Sequence, residues 1–426
     1  METKQDIDFN LPKDRTKHII KVIGVGGGGG NAVKNMYETG VANVGFVVCN
    51  TDSQVLSNSP VPVKVQLGEK GLGVGGDPKK GRAAAEESLG EIGKMFDEET
   101  QMVFITAGMG GGTGTGASPV IAHMARERGL LTIGVVTLPF AFEKLARIEK
   151  ALCGIEELKK EVDALLVINN ERLLEIYDDN TTTIVDAFAK TNEILTTATK
   201  TIAEVITKEG IVSRDFCDVE TVMKDSGAAI VSVGYAEGEH RILRAMKNAL
   251  DSPLLNPVDI TKTKRLLYII YDSERKPVTI SETTEINQFM DTLPANLQVL
   301  WGLYRDESLG EQVKVAIVAT GFDQPGVEPT ENEDEDHNRI IEELKNFYYP
   351  KKGVSKNEDE TLRYDNENDN GNENDNGNDN GNDNDNDNEN DNGNGNENGV
   401  GRERTAESSW LTRILDFLNN ALVEET

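Results

Sequence analysis

The sequence predicts an α/β protein: a Rossmann-like, doubly wound, mostly parallel sheet, a long central helix, and a second, smaller α/β domain. Three observations carry that prediction. Short apolar runs alternate with helical patterns from residue 18 onward, and strands between helices without polar alternation are buried on both faces, as in parallel sheets. Two of these runs, 19–25 and 101–107, feed into glycine clusters, Gly26-Gly27-Gly28-Gly29-Gly30 and Gly110-Gly111-Gly112-Thr113-Gly114-Thr115-Gly116. A long helical stretch, 183–207, separates this region from further apolar runs.

In chain order, 19–25 reads as a strand, 31–39 as the start of a helix and 45–50 as a strand. Residues 82–96, rich in Ala and Glu, read as a helix, 101–107 as a strand and 117–128 as a helix. The strand 130–138, the helix 145–160 and the strand 162–169 complete the first unit. The segment 183–207 carries Ile184, Phe188, Ile194, Leu195, Ile202 and Ile206 at roughly helical spacing. After it, 228–233, 265–271, 298–304 and 313–319 are strand-like, with helices at 237–250 and 284–290. The expected organisation is a polar arm (1–17), a first α/β domain (18–180), a central helix (181–208) and a C-terminal α/β domain (209–321).

Residues 322–405 break this composition. Asn, Asp, Glu and Gly alternate from 365 to 398 without a basic residue, a pattern that buries too little apolar surface to offset ordering entropy. A disordered acidic linker is expected there. From 406 to 426 order returns: Trp410, Leu411, Ile414, Leu415, Phe417, Leu418 and Leu422 share one helical face, as in a docking helix on a tether.

The formal net charge is −30, which argues against nucleic acid as a partner, because phosphate contacts need Lys and Arg. Much of that charge belongs to the tail, since residues 323–400 hold 24 Asp and Glu against six Lys and Arg. Three scattered cysteines, Cys49, Cys153 and Cys217, fit a reducing cytoplasm. The N-terminus has no apolar leader, and no run of about 18 apolar residues is present to cross a membrane. The terminal helix has Arg413 alone against Asp416, Glu424 and Glu425, which favours a protein partner over direct membrane insertion.

The chemistry lies in the glycine clusters. Glycine at a strand-to-helix turn lets backbone N–H groups approach an anion, and two such turns suggest a polyphosphate. The first cluster fits a degenerate dinucleotide fingerprint, with Asp52 where a ribose-binding acid would sit. That leaves a nicotinamide-dependent oxidoreductase open. A Walker-type loop is absent. Asp215 and Asp218 are spaced i, i+3 at a predicted helix start, which fits either N-capping or catalysis.

The run from Gly108 to Gly116 reads GxGGGTGTG, and here the chain resembles the tubulin/FtsZ superfamily of GTPases, its FtsZ branch most of all. The resemblance covers about 18–321 and implies roles in order. Gly26 to Gly30, Asn31, Gly76, Gly108, Gly110, Gly111, Gly112, Gly114 and Gly116 would grip phosphates, with Thr113 and Thr115 hydroxyls adding donors. Asn50-Thr51-Asp52 resembles the loop after the second strand. Glu143 and Arg147 would contact ribose, Phe188 would stack on guanine and Asn192 would read its edge. Asp215 and Asp218 would enter the next subunit's pocket and orient the attacking water. The family pattern there is NxDxxD, and Ser213 replaces its Asn, which leaves a non-catalytic structural filament as an alternative.

The resemblance further implies GTP as substrate, GDP as product and Mg2+ as companion ion. It implies a head-to-tail homopolymer, cytoplasmic, at a midcell division ring. Membrane-tethering or regulatory division proteins would dock on 406–426, although that segment lacks the Ile-Pro step common at the family's C-terminus.

Overall fold

Strands without polar alternation need helices on both faces, and the fold is arranged around that need. The computed structural model describes residues 18–171, 183–250 and 263–321, apart from Thr292 and Ala295. The expected arm 1–17, linker 322–405 and docking helix 406–426 lie outside the described residues.

The strands are β1 (Ile20–Val25), β2 (Gly45–Asn50), β3 (Val63–Gln66), β4 (Met102–Gly108), β5 (Leu131–Leu138), β6 (Ala164–Asn169), β7 (Gly227–Ala236), β8 (Arg265–Asp272), β9 (Gln298–Arg305) and β10 (Val313–Thr320). They form one ten-stranded sheet in the order β3-β2-β1-β4-β5-β6-β7-β10-β8-β9. Pairing is parallel from β3 through β6. The sheet continues into β7 through two residue pairs, Ala164↔Gly227 and Leu165↔Ala228. Beyond, β10 is antiparallel to β7 and β8, and β9 is parallel to β8.

The helices are α1 (Gly26–Glu38), α2 (Ser53–Ser57), α3 (Pro78–Glu87), α4 (Leu89–Gly93), α5 (Thr113–Glu127), α6 (Leu145–Lys160), α7 (Ile184–Thr207), α8 (Phe216–Met223), α9 (Arg241–Leu250) and α10 (Thr283–Met290). One core joins Ile23, Val103 and Ile105 to Ala85, Ile121, Leu152 and Ile155 from α3, α5 and α6. On the opposite face Val22, Phe104 and Ile133 meet Val33, Ile202 and Val219 from α1, α7 and α8. That core runs on into Ile269 and Ala316 of the C-terminal strands. A third core lies under α9 and α10.

The expected elements form, with differences at their starts. α1 begins at Gly26 and α5 at Thr113, inside the glycine clusters and not after them. Glycine costs about 1 kcal/mol per helical position, but close backbone packing outweighs that propensity here. The expected helix 82–96 is two helices, α3 and α4, broken at Ser88. α3 starts earlier, because Asp77 caps it, accepting from Lys79 N, and Pro78 stands at its first turn. The short α2 and the four-residue edge strand β3 were not foreseen.

The C-terminal half is pinned by Arg241, whose side chain is 1% exposed. Its guanidinium donates to both carboxylate oxygens of Glu282, at 2.6 and 3.2 Å. It also donates to the carbonyls of Lys276, Pro277 and Glu311. Partial burial pushes the Glu282 carboxyl upward, but the Arg241 and Thr279 hydrogen bonds and the Arg241 charge outweigh it and hold the group below its ordinary value. Its contribution to stability is therefore present above the ordinary glutamate pKa and is lost as pH falls through the folded value. Arg241→Ala is expected to cost about 3–5 kcal/mol in urea unfolding and to flatten this acid dependence.

Candidate active site

Both glycine clusters stand at the carboxyl ends of neighbouring strands, β1 and β4, where open α/β sheets place ligands. The two clusters touch. A Cβ on Gly29 would lie 2.1 Å from Thr106 O, one on Gly26 2.7 Å from Gly114 N, and one on Gly114 2.7 Å from Gly108 O. Others seat α5 against α3: a Cβ on Gly112 would meet Val74 at 2.5 Å, and one on Gly116 would meet Pro78 O at 2.0 Å. Gly110 has φ 92° and turns the chain beside Arg147, whose carbonyl would be 2.7 Å from a Cβ there.

Gly27, Gly30 and Gly111 differ. Among the described residues no neighbouring atom lies within 4 Å of a Cβ built on any of them. These three stand where an added side chain would meet open space. The clusters thus divide into glycines that let backbones pack and glycines that leave room above the N-termini of α1 and α5. Thr113 and Thr115 are both buried. Thr113 Oγ1 lies 2.8 Å from Thr51 Oγ1, and Thr115 Oγ1 accepts from Gly110 N at 2.9 Å. Gly76, with φ 72°, belongs to a loop laid against Gly112, and its carbonyl accepts from Lys150 Nζ at 3.1 Å. Asn31 is exposed on α1.

The third wall is aromatic. Phe140 is fully buried after β5; its ring stacks on Phe142 and meets Phe188 edge-on, with centroids 5.1 Å apart in each pair. Glu143 Oε1 accepts from Phe140 N, and Glu143 Oε2 pairs with Arg147 at 2.8 Å. Glu171 Oε2 accepts from Ala141 N at 2.8 Å. Phe188 is 44% exposed, and Asn192 follows one turn later on α7. Two threonines dock α7 here: Thr191 Oγ1 donates to Asn170 Oδ1 and Thr196 Oγ1 to Asn35 Oδ1. Glycines, aromatic rings, Glu143, Arg147 and the start of α7 therefore converge at one end of the sheet.

Asp215 and Asp218 do not join them. α7 has 24 residues, about 36 Å at 1.5 Å per residue, and its far end is held by Tyr304 Oη donating to Val205 O at 2.8 Å. The loop to α8 begins there, with Ile211 N donating to Leu303 O. Asp215 caps α8. Its Oδ1 accepts from Asp218 N at 2.9 Å, and Asp218 Oδ2 accepts from Asp215 N at 3.3 Å. Each carboxylate spends one oxygen on this capping box and keeps one without a protein donor among the described residues. Asp52 is likewise a cap, accepting from Gln54 N and Val55 N at the start of α2.

Residues 19–178 match the Tubulin/FtsZ family GTPase domain, and 227–323 match the FtsZ family C-terminal domain. Cell division protein FtsZ of Porphyromonas gingivalis is 50% identical over 321 residues, which span 74% of this chain and 70% of that protein. The chain belongs to the FtsZ family. Cell division protein FtsZ 1 of Thermococcus kodakarensis is 42% identical, over 76% of this chain and 87% of that one. A solved FtsZ dimer from M. jannaschii shares the fold at a TM-score of 0.66 and 39% identity, covering 72% of this chain and 89% of that chain. Family membership removes the oxidoreductase alternative.

Among the described residues no three His, Cys, Asp or Glu are grouped to hold a metal. The described residues therefore offer no protein cage for Mg2+, and an ion held by them would depend on phosphate oxygens and water for its ligands. Glu171, Asn35, Asn170 and Lys150 were not foreseen as site residues. They reach the site through contacts between distant segments, which local spacing does not encode.

The two kinds of glycine separate in experiment. Gly29→Ala drives a methyl group into Thr106 O and is expected to lose about 1–3 kcal/mol in chemical unfolding. Gly27→Ala meets no neighbour and is expected to unfold within about 0.5 kcal/mol of the parent protein.

Proposed function

We propose that this chain is a GTPase that binds GTP in the glycine cradle, polymerises head to tail and hydrolyses GTP at the subunit interface. The carrying observation is the length of α7, which sets Asp215 and Asp218 at the end of the molecule away from the cradle. A side chain reaches a few ångströms, so one chain cannot close such a site on itself. A second copy stacked below another can. Such a heterologous contact, if its rotation does not close, generates a filament. The chain would divide into 18–180, 181–208 and 209–321 and form a cytoplasmic ring at the bacterial division site. Residues 406–426 would dock tethering or regulatory division proteins.

The roles follow from placement. Free N–H groups at the starts of α1 and α5 meet the phosphates, with Gly27, Gly30 and Gly111 leaving room for close approach. Thr115 shapes the loop by holding Gly110, and Thr113 is fixed against Thr51. Glu143, braced by Arg147, faces the ribose. Phe188, supported edge-on by Phe140, stacks on guanine, and Asn192 reads its edge. From the next subunit, the free oxygens of Asp215 and Asp218 orient water for in-line attack on the γ-phosphate, so positioning and charge placement supply the catalysis. Mg2+ would neutralise phosphate charge.

Asp218→Ala is expected to bind GTP with unchanged affinity while turnover falls by about 100-fold or more, measured by nucleotide binding and phosphate release. Loss of GTP binding would place Asp218 in its own subunit's pocket and sink the split site. Specific activity of the parent protein is expected to rise with protein concentration, and a flat profile would contradict an interfacial reaction.

A further inference from the structure

The catalytic loop contains a cation that capping does not explain. Arg214 immediately precedes the N-cap Asp215 of α8. Positive charge at a helix N-terminus opposes the macrodipole, so local propensity disfavours arginine at this position. Its side chain is nevertheless well ordered by partners and only 22% exposed. Nε donates to Trp301 O on the edge strand β9 at 2.5 Å, and a terminal nitrogen lies 3.6 Å from Asp218 Oδ2. Its backbone N–H donates to Tyr304 Oη at 3.0 Å, and that hydroxyl donates onward to Val205 O of α7. Arg214 thus links β9, α7 and Asp218.

Ser213, beside it, is turned inward. Its Oγ accepts from Gly210 N at 2.9 Å and donates to Gly210 O at 3.0 Å. The hydroxyl closes its own turn and offers little to a neighbouring subunit. The loop would then meet a polyphosphate with two carboxylates, an electrostatic conflict unless a cation accompanies them.

We propose that Arg214 is a positioning residue for GTP hydrolysis: it holds Oδ2 of Asp218, so that Oδ1 points to the attacking water, and lowers the charge the loop carries into the neighbour's pocket. The guanidinium is held by Trp301 O, so its charge stands 3.6 Å from Oδ2 and draws that oxygen toward it. This inference rests on the split-site reading above.

The test compares the full chain with Arg214→Ala, Arg214→Gln, Arg214→Lys and Asp218→Ala. Nucleotide affinity, thermal unfolding and steady-state turnover against GTP are measured at saturating protein concentration. Arg214→Ala and Arg214→Gln are expected to lose about tenfold or more in kcat, with KM for GTP within twofold and unfolding temperature close to the parent's. Arg214→Lys, which keeps the charge near Asp218, is expected to recover most of the loss. If Arg214→Ala turns over normally while Asp218→Ala is dead, this inference fails and the split site stands. If Arg214→Lys is as impaired as Arg214→Ala and both unfold early, the residue is only a structural brace and the inference fails. If Asp218→Ala itself turns over normally, the split site falls and this inference with it.

Discussion

Backbone-to-backbone contact between two glycine turns is the constraint on which the rest depends. Gly26 and Gly29 lie so close to Gly114 and Thr106 that any side chain would part α1 from β4 and α5. Contact at that distance brings the N-termini of α1 and α5 together at one sheet end. Each N-terminus presents unsatisfied N–H groups and a partial positive charge. Two positive ends packed side by side repel, and an anion between them relieves that repulsion. The packing requirement and the proposed phosphate seat are therefore one arrangement: a substitution that removes the close approach would also remove that seat.

The long helix α7 determines what the cradle lacks. Its start is fixed among the site residues by Thr191, Thr196 and the Phe188–Phe140 contact. Its end is fixed by Tyr304 to the strand that also holds the loop bearing Asp215 and Asp218. A rigid rod so anchored keeps the glycine cradle apart from Asp215 and Asp218 in one chain. It also sets the spacing at which a second chain presents them. In the proposed split site, nucleotide at one end and the capping-box carboxylates at the other would be coupled through assembly alone.

Much of this was legible in the sequence where chemistry is local. Continuous apolar runs marked the parallel strands, and α6 and β2 fall at the expected bounds. The pair Asp215 and Asp218 was legible as a helix start, and it forms a capping box. What stayed hidden depends on contacts between distant segments. Glycines read as loop are helical, because Thr106 and Gly108 of another strand lie against them. The edge strand β3, with Val63 46% exposed, is too short to show a period. Glu171 supports Ala141 across 30 residues, and the service of Gly112 and Gly116 to α3 packing is invisible until α3 is in place.

The central claim is that each active site takes its parts from two copies of the chain, and mixing complementary variants tests it most directly. Gly27→Asp places a carboxylate in the cradle but keeps Asp215 and Asp218, whereas Asp218→Ala keeps the cradle. Each is expected to be inactive alone. The split site predicts that GTP turnover reappears when the two are mixed, rises with the product of their concentrations, and is lost on dilution. A mixture as inactive as its components, at concentrations where both associate, would contradict it.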